Sequence, residues 1–489
     1  MSFRPITFKC PSRLSVHPPH RNYVSMILNK PRVVIAGLRG GSGKTTLSLG
    51  LLRLWNNKGR RIIPFKKGPD YIDAAWLSAA AKTQCYNLDS YIIPEQMLLN
   101  SLVNHSKDSG GVLIEGNRGL FDGVDAKGTF STAALAGLCA SPVVLIVDCV
   151  KTAATVGVIV KGIVEFSKEL MIKGVVLNYI SNERHEKVIR EAVESYAGVP
   201  VVGVLKRSDT PFQQERHMGL MSRDETSEIE TVLERMAAAV GASVDEEKIW
   251  QIAAAAPPLD YAVSEPAASS SDESGAAVRI GVIKDSAFQF YYPENIEALK
   301  ALGAEIVEIS ALVTDMPDDL DALYIGGGFP ETHALSLSEN KHFTGKLKEL
   351  IECDLPVYAE CGGLMYLGRG IVCNERYYSM TGVFPIDFVM HEKPQAHGYT
   401  IVEAVEENPY FPKNVILRGH EFHYSKAVNL DMERLNFMFK MKRGKGIVDG
   451  RDGLSYKRVF ATYTHVHALG CTQWAPGLVR AAAAYKNSR

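Results

Sequence analysis

Apolar and polar positions between residues 32 and 250 follow a repeating pattern that predicts the fold of this part of the chain. Short apolar runs are separated by longer amphipathic segments, and the runs lie at 32–36, 61–65, 111–115, 143–148, 174–178 and 199–203. Short runs of this kind are typical of buried strands, and the segments between them are typical of crossover helices. The pattern therefore predicts β-α-β units that form a mainly parallel sheet.

A change of composition at residues 251–277 predicts a linker between two domains. From residue 253 onward, alanine, serine and proline crowd together with few large apolar residues, which is linker composition. Apolar runs then return at 279–283, 305–309, 322–326 and 356–359. We expect a two-domain α/β protein with domains at 32–250 and 278–489. The basic, proline-containing residues 1–31 predict a disordered extension.

Composition narrows the class of protein without identifying it. The 489 residues are 46% hydrophobic and 22% charged, with a formal net charge of −1, as expected of a soluble globular chain. The charge balance gives no support for nucleic-acid binding, and the apolar runs are too short to span a membrane. The eight cysteines form no C-x-x-C pair, which argues against a disulfide framework or a structural zinc site and favours reduced thiols in the cytoplasm.

A glycine-rich loop between the first predicted strand and helix predicts a triphosphate site. The loop is formed by Gly41, Ser42, Gly43, Lys44, Thr45 and Thr46. Glycines let backbone N–H groups converge on phosphate oxygens at the start of a helix. Lys44 reaches the β- and γ-phosphates, and the Thr45 hydroxyl ligates Mg²⁺. The match to the P-loop pattern is imperfect, because Leu38 occupies the first glycine position.

Two further loops are expected at the carboxyl ends of parallel strands, where such sheets bind ligands. In PFKKGPDYIDAAW, Lys66 can neutralise phosphoryl charge, and Asp70 can hold magnesium or orient a substrate. In GGVLIEGNRGLFDGVDAKGT, Glu115 ends an apolar run and is well placed for Mg²⁺. Asp122 can serve as a second ligand or can position a substrate.

The stretch LPVYAECGGLMYLG predicts a nucleophile at a strand-to-helix corner. Cys361 follows an apolar strand and precedes Gly362 and Gly363, which allow a tight turn. We expect the corner to lift the thiol out of the sheet, to lower its pKa and to favour the thiolate. The side chain of Glu360 can point away from the turn.

The nucleophile needs a base and an oxyanion hole. His465 and His467 follow an apolar strand in VFATYTHVHALG, and RGHEFHYS adds His420 and His423 as further candidates. The sequence LYIGGGFPE ends a strand with three glycines whose free N–H groups suit an oxyanion hole. From these residues we predict Gly327 and Gly328 as the donors.

These motifs together closely resemble the cobyrinic acid a,c-diamide synthases, a family in the cobyrinate/cobyric acid group of glutamine amidotransferases. The resemblance covers residues 32 to 480 in the same order of motifs: GSGKTT, PFKKGPDYID, IEGNRGLFDG, ERHMGL, FYYPENIEALKALGAE, YIGGGFPE, YAECGGLMYL, RGHEFHYS and TYTHVHALG. It implies an N-terminal domain like dethiobiotin synthetase, which binds ATP with Mg²⁺, and a C-terminal class I-like (flavodoxin-like) glutaminase.

The resemblance also implies a role for individual residues. Cys361 becomes the glutaminase nucleophile and His465 its base. Asp70, Tyr71 and Asp122 match positions tied to the acceptor and its activation. Lys44 and Thr45 match positions that bind triphosphate and metal, and Glu115 matches a carboxylate that ligates Mg²⁺. Typical class I glutaminases carry His-x-Glu, but the position two after His465 is His467, so the resemblance favours a Cys-His dyad.

The resemblance implies ATP-dependent, glutamine-hydrolysing amidation of the a and c side-chain carboxylates of cobyrinic acid through acyl phosphates, in cobalamin biosynthesis. The variant sequence IEGNRG, with Asn117 and Arg118, leaves the tetrapyrrole open. The alternatives are the same chemistry on metal-free or nickel sirohydrochlorin or on hydrogenobyrinic acid, and, more distantly, a P-loop switch ATPase with an inactive glutaminase domain. The expected partners are the corrinoid acceptor, glutamine and ATP, and a homodimer stays open.

Overall fold

The computed structural model describes residues 23–206, 226–264 and 277–489. These residues fall into two compact units, the first ending at residue 264 and the second beginning at residue 277. The division lies inside the range predicted as a linker. The motif ERHMGL and residues 1–22 lie outside the described residues.

The first unit alternates strands and helices along most of its length. Its strands are β1 (Tyr23–Leu28), β2 (Arg32–Gly37), β3 (Ile62–Lys67), β4 (Tyr86–Leu88), β5 (Gly111–Glu115), β6 (Val143–Asp148), β7 (Ile172–Ile180), β8 (Val201–Lys206) and β9 (Leu259–Ser264). Its helices are α1 (Lys44–Asn57), α2 (Tyr71–Ala81), α3 (Glu95–Ser106), α4 (Thr132–Leu138), α5 (Thr155–Phe166), α6 (Glu183–Ala197), α7 (Thr226–Ser243) and α8 (Glu246–Ala254).

Seven of these strands form one parallel sheet in the order β4-β3-β5-β2-β6-β7-β8. The central strands β2, β3 and β5 are buried along their whole length, as expected for a sheet covered by helices on both faces. Because the strands are parallel, the ends of β2, β3 and β5 lie side by side at one edge of the sheet. Each predicted strand of this domain is present, with shifts of one to three residues at some ends.

Two predicted boundaries differ from the structure. Residues 23–28 lie in the predicted disordered extension, yet β1 pairs antiparallel with β9 from Tyr23 opposite Ser264 to Leu28 opposite Leu259. Likewise, the predicted linker contains the end of α8 and all of β9. Both segments gain order by pairing with each other, and the sequence of either one alone does not reveal that partner.

The second unit contains a larger number of strands. They are β10 (Arg279–Ile283), β11 (Phe288–Phe290), β12 (Glu305–Ile309), β13 (Ala322–Ile325), β14 (Gly327–Gly328), β15 (Val357–Glu360), β16 (Gly370–Cys373), β17 (Arg376–Ser379), β18 (Asp387–Met390), β19 (Ala396–Ala404), β20 (Ile416–His423), β21 (Ser425–Val428), β22 (Asn436–Arg443), β23 (Arg451–Tyr456) and β24 (Val459–Thr462). The helices are α9 (Pro293–Ala301), α10 (Ala334–Glu339), α11 (Lys341–Glu352), α12 (Gly362–Leu367) and α13 (Trp474–Lys486), with a 3₁₀ helix at Pro330–His333.

The main sheet of this unit has nine strands in the order β12-β10-β13-β15-β24-β23-β22-β19-β20. The first five run parallel, and the remaining pairs are antiparallel. A four-stranded sheet, β17-β16-β18-β21, and the short pair β11-β14 complete the unit. Strands β13, β15 and β24 are adjacent, so their carboxyl ends carry Gly326, Cys361 and the segment that leads to His465 to one place. None of the helices within the described ranges is long and apolar enough to cross a membrane.

Candidate active sites

The loop between β2 and α1 has the backbone shape that a phosphate cradle requires. Gly41 and Gly43 have φ of 76° and 99°, in the left-handed region that favours glycine. A Cβ on Gly43 would lie 2.2 Å from Nδ2 of Asn178, and that same nitrogen donates to the carbonyl of Ser42 at 2.8 Å. The end of β7 therefore holds the loop from outside, and only glycine fits at position 43.

Lys44, the first residue of α1, reaches across this loop. Its Nζ donates to the carbonyl oxygens of Arg39 at 3.0 Å and Arg118 at 2.8 Å. The lysine thus connects the glycine-rich loop to the loop that follows β5. Thr46 is the third residue of α1, and Ser42 hydrogen-bonds Arg39 through its hydroxyl.

A buried group of charges lies beside the loop at the ends of β3 and β5. The carboxylate oxygen Oε1 of Glu115 accepts hydrogen bonds from the Thr45 hydroxyl and from Nζ of Lys66, each at 2.8 Å. Nζ of Lys66 also donates to Asp73 at 2.6 Å. Burial works against the charged ammonium, but the carboxylates of Asp73 and Glu115 outweigh it and raise the pKa of Lys66. Burial raises the pKa of Glu115.

Two of the residues predicted to hold Mg²⁺, Thr45 and Glu115, fit that ion, and a metal role for Asp70 stays a prediction. Thr45 and Glu115 are brought into contact, and the second oxygen of Glu115, Oε2, is buried with no hydrogen-bond partner among the described residues. Within that same part of the chain no group of three or more His, Cys, Asp and Glu side chains is placed to form a metal cage. Mg²⁺ is usually held by one or two protein oxygens together with waters and phosphates, so this arrangement suits it.

The predicted acceptor residues lie in the same region and have structural roles as well. Asp70 precedes α2, and its Oδ1 accepts the backbone N–H of Asp73 at 2.9 Å, as an N-cap does. Burial and the neighbouring carboxylate of Asp73 raise the pKa of Asp70 to about 7. Tyr71 is the first residue of α2. Asp122 accepts the N–H of Gly119 at 2.8 Å and so shapes the loop after β5. Contact of these three residues with an acceptor stays a prediction.

In the second unit, Cys361 occupies the predicted corner between β15 and α12. Its backbone has φ of 47° and ψ of −97°, a strained conformation for a residue with a side chain. Its N–H donates to the carbonyl of Thr462 at 2.7 Å, which ties the corner to β24. A Cβ on Gly363 would lie 2.6 Å from the carbonyl oxygen of Ile325, so this glycine is needed for close packing.

The expectation that this corner lowers the thiol pKa is wrong for the structure. Burial raises the pKa of Cys361, and the carboxylates of Glu331 and Glu360 raise it further. The N–H of Gly362 opposes this effect without overcoming it. The thiol is therefore protonated at rest, and attack on a substrate requires a base that removes its proton.

His465 is the predicted base, and it lies against the glycine pair that follows β13. It is buried, and a Cβ on Gly327 would lie 2.5 Å from its Cε1 and 3.2 Å from its Nε2. A Cβ on Gly362, next to the nucleophile, would lie 3.0 Å from the backbone nitrogen of Gly328. The pair Gly327–Gly328 therefore contacts both the imidazole and the nucleophile corner.

The glycine triplet differs in part from its predicted role. The N–H of Gly326 is not free, because it donates to the Tyr291 hydroxyl at 2.8 Å. Gly327 and Gly328 form β14 and pair with β11. A Cβ on Gly328 would lie 2.1 Å from the carbonyl oxygen of Ala287, so the backbone here is closely packed. Their function as oxyanion donors stays a prediction.

The other histidines have partners of their own. β24 ends at Thr462, so His465 and His467 do not continue a strand. His467 lies with its Nε2 3.5 Å from Glu294, and its ring packs on Tyr292. The ring of His420 stacks on that of His465 with centroids 4.8 Å apart, and burial lowers the pKa of His420 well below its ordinary value. His423 stacks on Tyr463.

Sequence reasoning missed two carboxylates beside the nucleophile. The side chain of Glu360 is directed at His465, with its Oε2 3.4 Å from Nδ1 of the imidazole. Its position directly before Cys361 at a strand end was the only available signal. Glu331 follows the glycine triplet in GGGFPE, and burial raises its pKa to about 7. Pro330, its neighbour, packs against the corner, since a Cβ on Gly362 would lie 3.0 Å from its Cδ.

Two family models match this chain, one on each unit. Residues 33–220 match the CobQ/CobB/MinD/ParA nucleotide binding domain. Residues 279–472 match the CobB/CobQ-like glutamine amidotransferase domain. The α/β fold with two domains is thus confirmed, and each match contains the corresponding candidate site.

Curated relatives match nearly the whole chain. The cobyrinate a,c-diamide synthase of Magnetococcus marinus is 39% identical over 92% of this chain and 97% of its own length. Proteins with the same name from Archaeoglobus fulgidus and from Caldanaerobacter subterraneus subsp. tengcongensis are 38% and 36% identical, over 90% and 89% of this chain and 94% of their own lengths in each case. The identity and the coverage are high enough to assign a family.

Proposed function

Because the chain belongs to the family of cobyrinate a,c-diamide synthases, we propose that it amidates the a and c side-chain carboxylates of cobyrinic acid. The nitrogen comes from glutamine, and ATP drives each amidation. The observation that carries this proposal is the presence of both sites in one chain: a P-loop beside buried acidic residues, and a cysteine nucleophile at a strand-to-helix corner.

The N-terminal unit activates the carboxylate. A carboxylate oxygen attacks the γ-phosphorus of ATP, the bond to the bridging oxygen breaks, and ADP leaves. Lys44 and Lys66 carry the positive charge that the transferring phosphoryl group requires. Bound Mg²⁺, held by Thr45 and Glu115, would neutralise phosphate charge. The product is an acyl phosphate, whose carbonyl carbon is open to attack by ammonia with loss of phosphate.

The C-terminal unit supplies the ammonia. His465 removes the proton of the Cys361 thiol as the sulfur attacks the side-chain amide carbon of glutamine. Gly327 and Gly328 donate to the developing oxyanion. His465 then protonates the leaving nitrogen, ammonia departs, and water hydrolyses the thioester to release glutamate. Each round consumes one ATP and one glutamine, and two rounds give the diamide.

The reaction is assigned to the cytoplasm, since it consumes ATP and needs Cys361 as a free thiol. The described cysteines are all free. The intact nucleophile, base and glycine set argue against a switch ATPase with an inactive glutaminase domain, which would hydrolyse ATP slowly whether or not glutamine is present.

The test compares acceptors. The protein is incubated with Mg-ATP, glutamine and either cobyrinic acid, hydrogenobyrinic acid or sirohydrochlorin, with and without nickel, and ADP release is measured. We expect cobyrinic acid to stimulate ADP release in the presence of glutamine. Stimulation only by a sirohydrochlorin or by hydrogenobyrinic acid would contradict the choice of cobyrinic acid as the acceptor. The proposal of an ATP-driven, glutamine-dependent amidation would still hold. ADP release that ignores every acceptor and glutamine would contradict both.

A further inference from the structure

The strand end beside the nucleophile carries a carboxylate aimed at the base. Oε2 of Glu360 lies 3.4 Å from Nδ1 of His465, and Oε1 accepts the backbone N–H of Val466 at 3.1 Å. One carboxylate therefore contacts both the imidazole of His465 and the backbone directly after it. The side chains of Glu360 and His465 are 1% and 2% exposed, so water does not compete for this contact.

Two tyrosines fix the Glu360 carboxylate in this position. The Tyr324 hydroxyl donates to Oε2 at 3.1 Å, and the Tyr358 hydroxyl donates to Oε1 at 3.3 Å. Burial raises the pKa of both tyrosines well above the ordinary value, so each hydroxyl keeps its proton and remains a donor. With the N–H of Val466, each carboxylate oxygen has a hydrogen-bond donor besides the imidazole. A buried carboxylate with this many donors is held in one orientation.

In typical class I glutaminases the carboxylate beside the base belongs to the glutamate of the His-x-Glu spacing, and this chain has no glutamate at that position. The residue two positions after His465 is His467, which has no carboxylate. Its Nε2 lies 3.5 Å from the carboxylate of Glu294. We propose that Glu360 is the positioning residue for His465 and replaces the missing glutamate of the His-x-Glu spacing. The nucleophile Cys361 and the group that orients its base would then be consecutive residues at the end of β15.

The proposed role follows from the two nitrogens of the imidazole. When Glu360 accepts a hydrogen bond from Nδ1, the proton of the neutral ring sits on Nδ1 and Nε2 carries the lone pair that receives the thiol proton. The same carboxylate stabilises the imidazolium that forms while glutamine is attacked, and it does not itself take up the proton. This inference deepens the proposed function, on which it rests, because it concerns glutamine hydrolysis at the same site.

The test uses Glu360→Gln, which keeps the size of the side chain and removes its charge. An amide can donate to Nδ1 and so favour the wrong tautomer. We expect kcat for glutamine hydrolysis to fall by about 10²-fold or more, as for loss of effective general-base catalysis. KM for glutamine should stay near the parent value, since the change acts on the transition state. Glu360→Asp, which keeps the charge, should recover part of kcat.

A matched control is available in the same unit. Glu294→Gln removes the carboxylate of a second buried His–Glu pair, at nearly the same distance from its histidine. We expect this variant to hydrolyse glutamine with the parent kcat. Equal losses in the two variants would show a general effect of deleting a buried carboxylate and would overturn the proposal, as would a parent-like kcat in Glu360→Gln.

A second assay separates this proposal from the proposed function. Amidation of cobyrinic acid with ammonium salts bypasses Cys361 and His465, so it should be unchanged in Glu360→Gln. If the parent protein amidates nothing, the proposed function fails, while glutamate release still tests the role of Glu360. If Glu360→Gln does not fold, Tyr324→Phe removes one anchor of the carboxylate without changing its charge. We then expect a smaller loss of kcat, about tenfold, and a parent-like kcat would overturn the proposal.

Discussion

Gly327 lies directly against the imidazole of His465: a Cβ at position 327 would come within 2.5 Å of Cε1 and 3.2 Å of Nε2. Cβ atoms do not approach other heavy atoms to 2.5 Å, so a side chain here forces either the base or the strand β14 to move. The same glycine belongs to the pair that contacts the nucleophile corner. Gly327 therefore limits where the imidazole of His465, the predicted base, can lie.

The variant Gly327→Ala should lose glutamine hydrolysis because the added methyl group displaces His465. We expect kcat to fall by about 10²-fold, the scale that effective acid–base catalysis contributes, while amidation with ammonium salts is retained. The matched control is Gly345→Ala in the middle of α11, where a Cβ meets nothing within 4 Å. This control should keep full activity and gain up to about 1 kcal/mol of stability. A fully active Gly327→Ala variant would show that a methyl group at position 327 does not displace His465.

The strained backbone at Cys361 predicts an unusual order of stability between two inactive variants. Alanine at this position keeps the strain of φ 47°, ψ −97°, whereas glycine relieves it. We expect Cys361→Gly to be more stable than Cys361→Ala by about 1 kcal/mol or more, the lower range for such a conformation. Urea midpoints of the two variants measure the difference. An alanine variant as stable as the glycine variant would show that the corner stores no strain.

Removal of the ammonium group of Lys66 should destabilise the N-terminal unit. Lys66→Met leaves the carboxylates of Glu115 and Asp73 without their cation, and the lysine side chain is only 2% exposed. Breaking a buried pair in this way costs about 3–5 kcal/mol. The free energy of unfolding measures it. The control is Lys168→Met, whose ion pair with Glu165 lies on the surface and should contribute less than about 1 kcal/mol. Similar losses in the two variants would contradict the account.

Neutralising the partly buried Glu331 should increase the stability of the protein in a pH-dependent way. Burial raises the pKa of this carboxyl from 4.5 to about 7, so the native state holds the proton more tightly than the unfolded chain does. Stability is therefore lost as the pH rises from about 4.5 to 7, and the full penalty is present above 7. Glu331→Gln should raise Tm relative to the parent at about pH 8 and leave it nearly unchanged at about pH 4.

The control for this prediction is Glu339→Gln at the end of α10. Glu339 is exposed, so its carboxylate needs no compensation for lost hydration. We expect the same Tm as the parent at both pH values. If Glu331→Gln changed Tm equally at pH 8 and pH 4, the effect would come from packing rather than from the charge.

Local motifs were predictable because neighbouring residues in the sequence determine their structure. The glycines of the P-loop, and Gly362 and Gly363 after Cys361, each predict a tight turn between an apolar strand and a helix. The contact between Thr45 and Glu115 follows from parallel topology, since β2 and β5 are neighbours and end at the same edge. The pattern of apolar runs predicts the parallel sheet, and the structure shows that β5 lies next to β2.

The contact between Glu360 and His465 could not be predicted in the same way. The two residues are 105 positions apart. They meet because β15 and β24 pair in parallel, with Glu360 opposite Thr462, and because the chain then turns so that His465 pairs with His420. The antiparallel half of the second sheet was missed for a similar reason, since β19 and β20 have no local signal that tells which strand each joins.

The pKa of Cys361 shows why local reasoning about charge can fail. A helix start and nearby N–H groups favour a thiolate, but α12 has only six residues and the thiol is buried next to two carboxylates. Burial and the negative charge of the carboxylates both disfavour a thiolate at the sulfur of Cys361. Together they raise its pKa by more than the N–H of Gly362 lowers it. Of these two carboxylates, Glu360 is the preceding residue, but Glu331 and the packing that buries the thiol come from other segments of the chain.

The proposed amidation is tested most directly by mass spectrometry of cobyrinic acid after incubation with the protein, Mg-ATP and glutamine labelled with ¹⁵N in its side-chain amide. We expect a product that carries two labelled amides, with labelling abolished in Cys361→Ala and amidation restored to that variant by ammonium salts. Unchanged cobyrinic acid beside normal release of glutamate would contradict the assignment of the acceptor. Loss of ammonium-dependent amidation in Cys361→Ala would contradict the division of the reaction between two sites.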